Sequence, residues 1–159
     1  MKNKACIILG DSFTFPEGDA ATNRVYTYAK GLAENGVSVH VVCFRNDYVS
    51  YHSGETEGIK YHLPFRQSQR SPYFIVRRIN NLAKYYNTIT LFRQIQKEHR
   101  IENVVAYTIR KNTQLFGFFL SRMFRSNLIL ERSEHPFKSY RTRIGEKVSG
   151  RFRVAFEIV

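Results

Sequence analysis

Cysteine occurs only twice in the 159 residues, too rarely for the disulfide framework of a small secreted fold. Cys6 and Cys43 both lie inside apolar runs that read as buried strands, so they are expected to be reduced core thiols, which points to the cytoplasm. No stretch approaches the ~20 consecutive apolar residues of a membrane span. The opening "MKNKACIILGD" ends its apolar run at Asp11, short of the roughly 7 to 15 residues that a signal peptide needs. The chain therefore reads as soluble or peripheral. No internal repeat or low-complexity tract is present. Two nucleotide signatures are missing as well: there is no G-x-G-x-x-G after the first strand and no G-x-x-x-x-G-K-[ST] anywhere, which removes the main support for a dinucleotide dehydrogenase, a nucleotide-sugar epimerase or a P-loop NTPase. Acidic residues are scarce. Thirteen Asp and Glu stand against 25 Lys and Arg, a formal charge of +12, and such a field attracts phosphates or an anionic membrane surface. Charge alone does not choose among nucleic acid, lipid head groups and phosphorylated sugars.

What is present is the material of one packed domain. The sequence is 43% hydrophobic and 14% aromatic, which excludes a disordered polyampholyte. Residues 5–10, "ACIILG", fit a strand buried on both faces. A loop over 11–18 follows, and from Asp19 the spacing turns helical, with Val25, Tyr28, Ala29, Leu32 and Ala33 on one stripe and "ENG" at 34–36 as the stop. "VSVHVVCF" (37–44) reads as a second strand, 46–58 as an exposed loop, and "IKYHL" (59–63) as a short strand ended by Pro64. From Pro72 to His99, Ile75, Ile79, Leu82, Tyr86, Ile89, Leu91, Phe92 and Ile95 recur at mostly helical spacing, giving one long helix or two abutting ones. Then come a strand at 103–109, a buried helix at 113–124, a strand at 127–131, a loop "ERSEHPF" (131–137) and a helical stretch over 138–159. That stretch stops in the apolar "VAFEIV", as a piece of a longer protein would.

Alternating strands and helices with near-continuous apolar strands predict an α/β, Rossmann-like three-layer sandwich with a mainly parallel sheet. Ligands in this architecture collect at the carboxyl ends of the strands, where the 11–18 loop and the "ERSEHPF" loop are both expected to emerge. The first of these leads into a helix start whose free amides suit an anion, with Gly18 leaving room for close approach. The plainer alternative is that Gly18 and Asp19 form a turn and an N-cap, Asp19 accepting from the first amides.

Three segments carry a family likeness. "FPEGDAATNR", with the pattern P-x-G-[GD]-A-x-x-x-R opening the first helix, "GLAENGVSVHVV" running into the second strand, and "LILERSEHPF" with its acidic and histidine-bearing loop together resemble the N-terminal half of B-type glycosyltransferases, above all the large retaining family four. Many members have Gly-Gly where this chain has Gly18-Asp19. The resemblance implies a single domain over 1–159 forming the acceptor-side half of a metal-independent enzyme. That enzyme would move a sugar from a nucleotide diphosphate sugar to a glycan or lipid-linked acceptor in cell-surface polysaccharide synthesis. It needs no cofactor besides the donor. Its own C-terminal domain, with the E-x7-E signature, is a required partner absent from this sequence, so the piece alone is expected to be inactive. Nucleic acid is not an expected partner; the rival reading is a stand-alone Rossmann-like domain binding phosphorylated ligands or nucleic acid.

The resemblance places a functionally used histidine near His135, whose ring is held in direction by the following Pro136 and can donate to a sugar hydroxyl. Glu131 and Glu134 flank it and either can act as a base toward an acceptor hydroxyl, with Glu134 grouped with His135 as the catalytic candidates. Gly18, Asp19, Arg24, Glu131 and Arg132 are the candidate substrate-binding residues, Arg24 as a phosphate fork. No spacing among His40, His52, His62 and His99 resembles a metal site. The segment 66–100 reads as a core helix with a solvated basic face, or as a surface resting on anionic lipid. In the second case Arg77, Arg78 and Lys84 turn toward phosphates and the domain is peripheral on the inner face of a membrane.

Overall fold

The computed structural model describes residues 3–45, 49 and 51–131. Strand β1 (Asn3–Gly10) is followed by helix α1 (Ala20–Glu34), β2 (Ser38–Cys43), the hairpin β3 (Ser53–Thr56) and β4 (Ile59–His62), the long helix α2 (Phe74–Glu98), β5 (His99–Tyr107), α3 (Lys111–Phe124) and β6 (Asn127–Glu131). The six strands form one sheet in the order β3-β4-β2-β1-β5-β6. All neighbours are parallel except β3 on β4. This is the expected α/β Rossmann-like fold.

The two faces of the sheet are separated by the alternation of side chains along each strand. On one face Ala5, Ile7, Leu9, Val42, Ile101 and Val104 pack under α2 and α3 through Phe92, Ile95, Leu120 and Phe124. On the other, Ile8, Val39, Val41, Ile59 and Tyr107 pack under α1 through Val25 and Ala29. Each strand is therefore covered on both sides near the sheet centre, which is why β1 reads as an unbroken apolar run and does not alternate.

Three elements differ from the sequence reading, and a fourth, α2, is settled between its two alternatives. Residues 53–56, expected in an exposed loop, form β3. The turn joining it to β4 has Glu57 at φ 47° and Gly58 at φ 77°, the paired left-handed residues of a two-residue hairpin turn. β5 begins at His99, four residues before the expected start, because it pairs with β1 from Asn3 onward. Tyr28, expected on the buried stripe of α1, is exposed, whereas Thr22, Val25 and Ala29 are buried. The stretch from Phe74 to Glu98 is one continuous helix of 25 residues.

Candidate functional site

Chain direction reverses its course across the sheet at β1. The β1–α1–β2 unit moves one way, and the crossover through α2 brings β5 to the other side of β1. Such a switch leaves a crevice outside the carboxyl ends of the two flanking strands, where loops part in opposite directions. Here those ends are in register: Gly10 lies opposite Tyr107, and Tyr107 opposite Glu131 at the end of β6. The loop after β1 and the point where the chain leaves β6 thus share one rim, two strands apart.

Asp11 organises this rim. Its carboxylate is 7% exposed, and it accepts a hydrogen bond at Oδ1 from the Thr108 hydroxyl (2.5 Å) and another at Oδ2 from the Thr113 hydroxyl (2.7 Å). Ser12 Oγ lies 3.4 Å from Oδ1. Thr108 also receives the Arg110 amide on its Oγ1 (3.0 Å) and the Gln114 side-chain amide on its carbonyl (3.1 Å). One acid thereby ties the exit of β1 to the turn between β5 and α3. The close approach of the strands depends on Gly10, where an added Cβ would overlap the Tyr107 carbonyl and come within 2.6 Å of the Phe13 ring. Phe13 and Phe15, in the loop itself, are fully buried; two aromatic plugs hold the loop onto the α1 face.

Two basic side chains, Arg110 and Lys111, stand at the start of α3 beside the crevice. Arg110 Nε is 3.7 Å from Asp11 Oδ2 while its side chain stays 75% exposed. Arg110 is the N-cap of α3 and places no side-chain acceptor on the first turn; Lys111 and Asn112 beside it are exposed. The amides that open α3 therefore face the rim without a capping side chain, next to two cations.

The opposite holds at α1. Asp19 is its N-cap, accepting at Oδ1 from the amides of Ala21 (3.1 Å) and Thr22 (3.3 Å), with Arg45 Nη1 3.1 Å from Oδ2. The Thr22 amide first, then Arg45, hold its carboxyl below the usual aspartate range. Gly18 is needed for internal reasons: a Cβ there would run into the hydroxyls of Thr14 and Thr22, and Thr22 Oγ1 donates to the Thr14 carbonyl (2.7 Å). The segment thus forms the turn and N-cap that the sequence offers as the plainer of its two readings.

The other sequence candidates scatter. Arg24 is exposed on α1, and Glu131 is half-buried at the end of β6. Arg132, Glu134 and His135 lie outside the described residues. Arg78 is exposed, its guanidinium 5.2 Å from the Phe74 ring centroid. Arg77 donates to the carbonyls of Ser71 and Pro72, and Lys84 to the carbonyl of Phe44.

Two groupings escaped the sequence reading. One is the Asp11–Thr108–Thr113 clamp, signalled only by polar residues directly after two apolar strands. The other is a histidine cluster on the α2 face. His40 Nδ1 is 3.1 Å from His62 Nε2, the rings are stacked, and Ser38 Oγ is 3.3 Å from His40 Nε2. The His99 ring stands 6.0 Å from that of His40. Burial first, then the neighbouring His62, Lys60 and His99, push His40 down to about 3; burial and then Lys60 push His62 down to about 4. Both are neutral at physiological pH. Among the described residues no group of three or more His, Cys, Asp or Glu is arranged to hold a metal ion.

Comparison with known proteins gives a fold likeness and no family. No family model matches, and no curated protein matches. Among solved structures, the chain is similar to the C-terminal domain (residues 78–226) of PF1911 hydrogenase from Pyrococcus furiosus, with a TM-score of 0.51 and 12% identity over 82% of this chain and 91% of that one. The neighbour is a hydrogenase domain. That finding overturns the resemblance to B-type glycosyltransferases, and with it the expected glycosyltransferase activity, the role in polysaccharide synthesis and the acceptor-half assignment. The physical reason is visible at Gly18 and Asp19: the motif that carried the resemblance spells a turn and a helix cap, which any strand–loop–helix unit can use. At 12% identity the likeness carries the fold alone, so no hydrogenase chemistry passes to this chain.

Proposed function

We propose that this domain binds a phosphorylated small molecule in the crevice between the carboxyl ends of β1 and β5. The observation that carries the reading is the juxtaposition, at a topological switch point, of the uncapped start of α3 with the exposed cations Arg110 and Lys111. Amides at a helix start and a forked guanidinium are complementary to phosphate oxygens. Asp11 has a positioning role: through Thr113 and Arg110 it fixes the first turn of α3 against β1, so that the donors are held in place before the ligand arrives. Buried Cys6 and Cys43, which form no disulfide, support a reducing compartment, and we place the domain in the cytoplasm.

Calorimetric titration with inorganic pyrophosphate and with adenosine diphosphate tests this. Binding is expected to weaken at least about tenfold in Arg110→Ala/Lys111→Ala, the scale of losing a charge-assisted contact. It is expected to persist in Arg93→Ala, an exposed cation distant on α2. Absence of binding by both probes, or equal affinity in the two variants, overturns the proposal.

A further inference from the structure

α2 runs against the direction of the parallel strands, and its contacts with the sheet start at the carboxyl rim. Lys84 Nζ donates to the carbonyl of Phe44, just past β2 (2.8 Å), and Asn87 Nδ2 to that of Pro64, just past β4 (2.8 Å). The buried residues of the helix, Thr88, Phe92 and Ile95, all come later. The ten residues from Phe74 to Ala83 therefore overhang the rim by about 15 Å, at 1.5 Å per residue.

This overhang is apolar where it faces away from the sheet. Ile75, Ile79, Leu82 and Tyr86 are 71%, 58%, 69% and 66% exposed. Their spacing of four, three and four puts them within about 60° of arc, on the side of the helix roughly opposite Thr88, Phe92 and Ile95. Tyr73 and Phe74 extend the exposed apolar surface to the tip. The periodicity that reads as a single core face in the sequence is in fact two faces, an inner one on the C-terminal half and an outer one on the N-terminal half.

Charge decides what covers the outer face. Between Glu57 and Glu98 the chain has no acidic residue, while Arg66, Arg70, Arg77, Arg78, Lys84 and Arg93 fall within that span. Arg66, Arg70 and Arg78 are exposed. A second copy pairing through this stripe would set arginines against arginines with no acid on either helix before its last residue, Glu98, to offset them. An anionic leaflet offers apolar depth for the isoleucines and leucine and phosphates for the arginines. No helix among the described residues is long and apolar enough to cross a membrane, so contact would be with one leaflet.

We propose that the overhanging end of α2 docks on an anionic lipid bilayer, inserting Ile75, Ile79 and Leu82 below the head groups with Arg66, Arg70 and Arg78 at the phosphates. The overhang starts at the carboxyl rim that also carries the β1–β5 crevice, while the docked stripe faces away from the sheet. The docking surface does not depend on what the crevice binds, and either can fail alone.

Co-sedimentation of the chain with vesicles of phosphatidylcholine, alone or containing about a third phosphatidylglycerol, tests the proposal. Partitioning onto the anionic vesicles is expected to exceed that onto the neutral ones at least tenfold and to fall with added salt. Ile79→Ser/Leu82→Ser is expected to reduce it about tenfold or more, by removing two buried apolar side chains. Arg66→Gln/Arg70→Gln/Arg78→Gln is expected to reduce it by about fivefold per arginine. Phe119→Ser, an exposed aromatic on α3, should leave it unchanged. All these positions are exposed, and circular dichroism of each variant confirms that the fold is retained. Equal binding to neutral vesicles overturns the proposal. So does equal loss in Phe119→Ser, or a dimer that Ile79→Ser/Leu82→Ser dissociates in a chain that ignores vesicles.

Discussion

Asp11 draws its two threonine partners from positions 97 and 102 residues further along the chain. Its two oxygens each accept a hydroxyl hydrogen bond in a nearly closed site, where such bonds are strengthened by the low local dielectric. Asp11→Ala leaves both hydroxyls without their acceptor and is expected to lower the unfolding free energy by about 2–4 kcal/mol. Asp11→Asn keeps one acceptor oxygen and should lose about half as much. Urea denaturation of the two variants measures the difference, and equal losses would mean that packing, and not the carboxylate, holds the rim. Nothing in the sequence pairs Asp11 with Thr108 or Thr113. Their meeting depends on β5 lying beside β1, and strand order is a tertiary fact that spacing does not encode. The turn and cap at Gly18 and Asp19 were legible, because capping is decided within four residues.

Elements were read best where the signal is local and strong. α1 is bracketed by Asp19 and Gly36, β6 matches its expected span, and β1 and β2 match within two residues. β3 was missed because its residues, Ser53 to Thr56, are polar and half-exposed at the sheet edge; only the Glu57–Gly58 turn announced it. In α2 the period was right but the assignment to a core was wrong for the first three turns, since periodicity tells that a face is apolar and not what it meets. Two glycines separate these cases by measurement. Gly31, inside α1 with open space where a Cβ would stand, should accept alanine with a gain of about 0.5–1 kcal/mol from helix propensity. Gly10→Ala meets the Tyr107 backbone and should instead cost more than about 2 kcal/mol, because β1 and β5 must move apart. Thermal unfolding of the pair checks both signs.

At the scale of the whole molecule, the histidine cluster makes stability depend on acid. His40 and His62 are depressed to about 3 and about 4 in the fold, from 6.5 in the unfolded chain. The unfolded state therefore binds more protons between those values. Their contribution is complete above about pH 6.5 and is lost as pH falls toward 4 and then 3. At about 1.4 kcal/mol per pH unit for each group, unfolding free energy should drop by roughly 3–4 kcal/mol between pH 6.5 and 5. Urea midpoints across that range measure it. His40→Gln/His62→Gln should flatten the slope, and an unchanged slope would place the acid sensitivity elsewhere.

The clamp at the rim also has a history during synthesis. A ribosome delivers Asp11 about a hundred residues before it delivers Thr113, so the first strand–helix–strand unit must wait, its carboxylate solvated, until the second half of the sheet is made. The nascent domain can lock this rim only once α3 has been made, and a chain arrested before α3 would leave the exit tunnel with that rim open.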